Sequence, residues 1–223
     1  MSAFLETIPA RLRARIHTFC SDMWEGYITA INEFIARYEL ETAKLVIDRF
    51  HVAEHYRAGF DQLRKQEMRR LKKELPEETY QADFQGALWL LRHNYDSLDE
   101  AEKEQLRRLL AHSPQLHLAY SLRQELTAIF EMKLCWKQGK NRLLKWIAKV
   151  KRSGLTCFDK FIKTLQAHLD WIANYFIRRA NSGFVEGLNN KVKVIKRRCY
   201  GIKKVGTLFQ RLWLDLKGYE RFA

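Results

Sequence analysis

The stretch RIHTFCSDMWEGYITAINEFIARYELETAKLVID, residues 15–48, decides the fold class. Its first eight residues, 15–22, are short, rich in Ile, Thr and Phe, and end at Ser-Asp, which predicts a strand. Trp24, Tyr27, Ile28, Ile31, Phe34, Ile35 and Tyr38 then recur at helical spacing, one face of an α-helix. The run AKLVID, 43–48, is compact, apolar and closed by an acid, as in a buried strand whose carboxylate emerges at its C-terminal end. Strand, helix and strand in that order predict one parallel α/β unit. Ahead of it, residues 4–14 contain Pro9 and read as a short helix or turn.

Beyond residue 51 the pattern becomes helical. Residues 52–75 are heavily charged and stop at Pro76; residues 84–93 form an apolar patch. Ser97 and Glu100 read as a capping box opening a helix that ends before Pro114. Helical periodicity continues over 115–138, 141–151 and 155–177, with Trp89, Trp136, Trp146 and Trp171 in apolar patterns that predict core positions. The expectation is an α/β chain that is mainly helical.

Forty Lys and Arg against 26 Asp and Glu give a net charge of +14. Such a surplus favours a polyanionic partner, nucleic acid first, against the plainer alternative of a solvated basic surface. Cys20, Cys135, Cys157 and Cys199 form no Cys-x-x-Cys pair, which excludes a local zinc knuckle and fits free thiols in a reducing compartment. Arg11, Arg13 and Arg15 interrupt any signal peptide, and no long apolar run predicts a membrane span. A cytoplasmic location is expected. No Gly-x-Gly occurs, so no dinucleotide or P-loop reading arises.

The segment NSGFVEGLNNKVKVIKRRCYGI, 181–202, carries the densest chemistry. As a helix starting near Ser182, it gathers Phe184, Leu188, Val192, Ile195 and Cys199 on a packing face. Glu186, Asn190, Lys193 and Arg197 share a roughly opposite stripe. Nine Lys and Arg lie between Arg178 and Lys204 against one acid, Glu186, which is +8 of the total +14. A carboxylate, an amide and cations in line suit a metal ion beside a phosphate backbone. Equally, Glu186 could simply pair with a neighbouring Lys or Arg. Tyr200 reads as an anchor where the helix ends at Gly201. Asp48, His51 and His55 have spacings that could start a metal site, but a strand-end Asp followed by helix-face histidines explains them better.

The run VEGLNNKVKVIKRRCYG, 185–201, resembles the C-terminal signature of the ISL-three insertion-sequence family of DDE transposases. SDMWEGY at 21–27 and VIDRFHV at 46–52 resemble two further blocks of that family in the same order, as does WLLRHNYDSLDE between them and the signature. The resemblance implies a partial RNase H-like core over 1–60, a helical insertion over 61–177, and a C-terminal Glu-bearing helix with a basic DNA-binding segment over 178–223. It also implies DNA strand cleavage and strand transfer on two divalent ions, Mg²⁺ or Mn²⁺, about 3.5–4 Å apart. Asp22 matches the second acid and Glu186 the third, both as metal ligands; Asp48 and His51 match an accessory block. Asn190, Lys193, Lys196, Arg197 and Arg198 would meet DNA. The first acid has no counterpart, since none of residues 1–21 is Asp. The expectation is therefore a transposase fragment without the first strands of its catalytic domain, inactive alone, whose partners are DNA and a full-length transposase or a second copy. The alternative is a non-catalytic DNA-binding or interaction module derived from a transposase.

Overall fold

The computed structural model describes residues 1–222. They divide into two compact units, residues 1–180 and residues 181–222.

The first unit opens with two short helices, α1 (Ser2–Glu6) and α2 (Ala10–Arg13), separated at Pro9. Strand β1 (Thr18–Ser21), helix α3 (Glu25–Arg37) and strand β2 (Lys44–Ile47) follow. The strands pair in parallel, Thr18 opposite Lys44 and Ser21 opposite Ile47, with α3 as the crossover that a parallel pair requires. Ile28, Ile31 and Phe34 bury one face of α3 beside Leu45, Val46 and Ile47. The strand–helix–strand reading thus holds, with boundaries drawn in by one to three residues. Among the described residues the sheet has two strands. β2 is closed on its far side: α11 (Leu169–Ala173) packs on it, and the Asn174 amide donates to the Leu45 carbonyl at 2.7 Å.

The rest of the unit is helical: α4 (Arg49–Glu74), α5 (Glu77–Phe84), α6 (Ala87–Arg92), α7 (Glu100–Ala111), α8 (Pro114–Glu131), α9 (Trp136–Arg152), α10 (Asp159–Ala167) and α12 (Tyr175–Arg178) complete it. Helix α4 is continuous across residue 60, so sheet and helices share one core. Tyr56, 1% exposed, is its centre. Its ring stacks on Phe158 at 4.5 Å and meets Phe161 and Trp146 at 5.6 and 5.9 Å. Its hydroxyl donates to the Ala119 carbonyl at 2.5 Å, satisfying the one polar atom that burial would otherwise strand. Burial pushes this phenol well above its ordinary pKa. Gly59, one turn on, allows the 156–158 turn to approach: a Cβ there would lie 2.5 Å from the Cys157 carbonyl oxygen.

Two carboxylates lock the outer helices. Glu67 pairs with Arg70 at 2.7 Å and accepts from the Ser113 hydroxyl at 2.5 Å. Asp83 accepts from Arg108 at 2.7 Å and bonds His112 at 2.9 Å. Ser113 also caps α8, accepting the Leu116 N–H at 3.1 Å.

Several local expectations are corrected. The capping box of α7 is Asp99 with Glu102, not Ser97 with Glu100. Ser97 sits in a 3-10 turn and donates to the Asn94 carbonyl, which leaves Asp99 as the residue with extended backbone at the helix entry. The 115–138 helix breaks after Glu131, and the 155–177 helix is a 3-10 turn plus three short helices. In both cases the apolar spacing continues through the breaks, so periodicity alone does not mark them. Trp146 is core, but Trp136 and Trp171 are half-buried, and Trp89 is 57% exposed with its indole N–H on Glu102.

The second unit is a pair of helices, α13 (Gly183–Arg198) and α14 (Val205–Phe222). α14 has no counterpart among the elements expected from the sequence. Ile195 and Leu212 are the unit's buried apolar residues among those described, and Lys191 pairs with Asp215 across the helices at 2.7 Å.

Candidate DNA-processing site

Asp22 is set by the end of β1. One residue past the Ser21–Ile47 pair, Asp22 and Asp48 leave the parallel strands at the same, carboxyl end. That end is where open α/β sheets characteristically place ligands. Asp22 is half-buried; its Oδ1 accepts the Trp24 N–H at 3.0 Å at the entry to α3. Its other oxygen has no hydrogen-bond partner among the described residues.

Asp48 plays a different part. It is 1% exposed, and its Oδ1 accepts the Phe50 N–H at 2.9 Å as the N-cap of α4. Its backbone N–H continues the ladder to the Ser21 carbonyl at 3.0 Å. So this carboxylate, expected to emerge from the sheet, is turned back onto the chain by the helix that starts beside it. His51, in the first turn of α4, bonds Glu54 at 3.3 Å. The structure thus brings Asp22 and Asp48 to the same strand end and keeps His51 one helical turn onward. Among the described residues no three His, Cys, Asp or Glu side chains gather into a metal-holding group.

Glu186 belongs to the second unit. It stands half-buried in the first turn of α13, where a negative charge faces the positive end of the helix dipole. The Ser182 hydroxyl donates to its Oε1 at 2.5 Å, and its backbone N–H bonds the Ser182 carbonyl at 2.9 Å. No Lys or Arg pairs with it among the described residues, so the simple ion-pair alternative for Glu186 is not what the helix shows. Its second oxygen carries no hydrogen bond there. Asn190, Lys193, Lys196, Arg197 and Arg198 are, with Glu186, the candidate residues of this helix; all five are exposed. The last three sit in the last turn, where cations suit the dipole's negative end.

The expected packing face of α13 is only partly one. Ile195 is buried, but Phe184, in the first turn, is 82% exposed. Nor is Tyr200 an anchor: it is fully exposed. Helix α13 ends instead in a Schellman turn, with Gly201 N–H on the Lys196 carbonyl at 2.8 Å and Tyr200 N–H on the Arg197 carbonyl at 3.2 Å. Tyr200 and Gly201 hold left-handed φ values of 52° and 82°, so glycine suits the second position and tyrosine is strained at the first.

A groove in the first unit, between the α8–α9 loop and the end of α12, has no counterpart in the sequence reading. It includes Lys133, Trp136 and Arg178. Apolar patterning assigns Trp136 to the core and Arg178 only to a basic stretch; residues this distant in sequence give no local signal of a shared surface.

No helix among the described residues is long and apolar enough to cross a membrane. A family model described as "Transposase" matches residues 1–212. The chain is 30% identical over 222 residues to the transposase for insertion sequence element IS1001 of Bordetella parapertussis, covering 98% of this chain and 52% of that protein. It is 25% identical over 137 residues to the transposase for insertion sequence element IS1557 of Mycobacterium tuberculosis, covering 61% of this chain and 30% of that protein. The chain spans about half the length, or less, of these curated relatives. No solved structure matches it.

Proposed function

From the premise that the chain belongs to the ISL-three family of DDE transposases, we propose that it contributes two metal-binding carboxylates and a DNA-tracking helix to a strand-cleavage and strand-transfer site. The observation that supports this most is Asp22: a half-buried carboxylate at the carboxyl end of a parallel strand, with one oxygen held by backbone and one left over. Glu186, in the first turn of the most basic helix, has the same character, one oxygen held and one left over.

The donor set fits a hard divalent cation such as Mg²⁺ or Mn²⁺, which takes carboxylate oxygens and keeps part of its water shell. Asp22 and Glu186 would each offer an oxygen to such an ion; when bound, it supplies Lewis-acid polarisation of a phosphate and a more acidic water. The chain's own residues do the positioning. Lys193, Lys196, Arg197 and Arg198 neutralise backbone phosphates, and Asn190 offers an amide to the same strand. Asp48 caps α4 and so fixes the backbone beside Asp22; it is a positioning residue, with His51 accessory to it.

Two measurements test the reading. Mn²⁺ bound by the 223-residue chain, followed by electron paramagnetic resonance, should fall in Asp22→Asn and again in Glu186→Gln; retention in both variants overturns the ligand assignment. Plasmid nicking in Mg²⁺ or Mn²⁺ should be absent for this chain alone, because two carboxylates cannot charge-balance the two-ion arrangement. It should appear when a segment supplying further strands and a third carboxylate is joined ahead of residue 1, and vanish with either substitution while DNA binding persists. Metal-dependent nicking by the 223-residue chain that survives Glu186→Gln would show the site to be elsewhere.

A further inference from the structure

The groove between α8, α9 and α12 has a volume of about 690 Å³, within the range of about 300–1,000 Å³ typical of ligand sites. Met132, Trp136 and Ile177 give it apolar and aromatic wall; Lys133 and Arg178 give it charge. Both cations are exposed and neither makes an ion pair among the described residues. No Asp or Glu is among its lining residues. An aromatic wall with unpaired cations at the rim is the chemistry that takes a base by stacking and its phosphates by charge.

The groove is also held rigid and held near the sheet. The Arg179 guanidinium donates to the Phe130 and Glu131 carbonyls, each at 3.1 Å, tying the end of α12 to the end of α8. Glu131 in turn pairs with Arg49 at 2.5 Å, and Arg49 follows Asp48 at the carboxyl end of β2. A chain of bonds within the first unit therefore joins the groove to the strand end that carries Asp22 and Asp48. Arg179 is committed to this frame, which leaves Lys133 and Arg178 as the groove's uncommitted cations.

We propose that the groove takes an unpaired nucleotide of a DNA strand, the base against Trp136 and the flanking phosphates toward Lys133 and Arg178. The inference rests on the transposase reading for the identity of the nucleic acid, but not on the assignment of Asp22 and Glu186. It adds to the basic helix α13 a second contact, one that distinguishes a single strand from a duplex: a stacked base must leave its pair, whereas a phosphate contact need not.

Cys135, an exposed free thiol on the groove's wall, reports occupancy without any engineered residue. The 223-residue chain is incubated, without metal, with a blunt DNA duplex or with the same duplex carrying a short single-stranded overhang. Maleimide modification of Cys135 is then followed by mass spectrometry. The overhang should slow modification about tenfold and the blunt duplex less than about twofold, given stacking worth roughly 1–3 kcal/mol per base. Trp136→Leu, which keeps an apolar side chain at the half-buried position, and Arg178→Glu, at an exposed one, should each lower the preference for the overhanging substrate about tenfold and leave blunt-duplex affinity within about twofold. Asp22→Asn and Glu186→Gln should leave the protection unchanged. Equal protection by both substrates, or none while the overhanging DNA is bound, overturns the groove assignment alone. Loss of protection in Asp22→Asn would place the strand at the carboxylates instead and overturn it too. A chain that binds neither substrate overturns the groove and the DNA reading together.

Discussion

Tyr56 and Tyr200 set the two units of this chain side by side. Tyr56 is 1% exposed, stacked, hydrogen-bonded and surrounded by other aromatic rings. Tyr200 is fully exposed and sits on a strained left-handed backbone. The same difference runs through the cations. In the first unit Arg64, Arg70 and Arg108 are committed to Asp61, Glu67 and Asp83. In the second, Lys193, Arg197 and Arg198 have no acid paired with them among the described residues, and Lys191 alone of the α13 lysines meets one, Asp215. The first unit uses its side chains to fix a scaffold; the second leaves charge facing outward and keeps only a small core.

The sharpest way to break that comparison is to substitute the scaffold's centre. Tyr56→Ala removes a buried ring and strands the Ala119 carbonyl, and should destabilise the first unit by about 3–5 kcal/mol. Gly59→Val should act in the same direction through the Cys157 carbonyl that its Cβ would strike. Denaturant unfolding followed by tryptophan fluorescence measures both. A decrease below about 1 kcal/mol for Tyr56→Ala would mean that the aromatic cluster is not the centre of the core.

Charge reversal sharpens the other half. Lys193, Arg197 and Arg198 changed together to Glu should weaken duplex binding by orders of magnitude and flatten its salt dependence, by about 0.9 in log–log slope for each phosphate no longer neutralised. The control is Arg69, Lys72 and Lys73 to Glu: three exposed cations of α4 in the first unit. Affinities by fluorescence anisotropy at several salt concentrations decide it. Equal weakening by the two triplets would show that the chain binds through its general charge and not through α13.

The parallel strands and α3 are legible in the sequence because periods of two and near four are written directly in residues 15–48. The second unit's first helix is legible for the same reason. What periodicity does not show is where helices break without a change of face, as at 132–135 and within 155–177, or which apolar tryptophan lies outside, as Trp89 does. Of the candidate site, Asp22 and Glu186 are legible through their resemblance to family blocks; helix spacing alone leaves Glu186 open to ion pairing. Asp48 is legible as a strand-end acid but not as a buried cap, since capping depends on the turn geometry at Arg49 and Phe50. The groove is illegible because 132–136 and 176–178 meet only after three helices have packed.

A smaller effect is the response of the first unit's outer helices to pH. The Arg70 bond and then the Ser113 hydroxyl hold Glu67 below its ordinary pKa. For Asp83 burial pushes upward, but the Arg108 and His112 bonds outweigh it and the net shift is downward. A depressed carboxylate adds stability above its unfolded pKa and loses it as pH falls through the folded one. The outer helices α4, α5, α7 and α8 should therefore loosen as pH drops below the ordinary carboxylate range. Hydrogen exchange in α7 across that range measures it, with Glu67→Gln and Asp83→Asn each flattening the profile. A profile unchanged by both would move the acid sensitivity elsewhere.

The smallest expected effect concerns Tyr200 itself. A non-glycine residue in the left-handed region costs roughly 1–2 kcal/mol, and glycine there loses roughly 0.5–1 kcal/mol through its freer unfolded chain. Tyr200→Gly should therefore stabilise the end of α13 by about 0.5–1 kcal/mol, seen as slower exchange of the residue-200 and Gly201 amides, which bond the Arg197 and Lys196 carbonyls. If duplex affinity is unchanged in the variant, the phosphate contacts belong to the cations alone and the tyrosine's strain has no part in binding. If affinity falls although the helix end has become firmer, the exposed ring is a DNA contact held in place by its strain, as outlying backbone at working sites often is. Either result tests whether the second unit's surface contributes anything to duplex affinity beyond its charge.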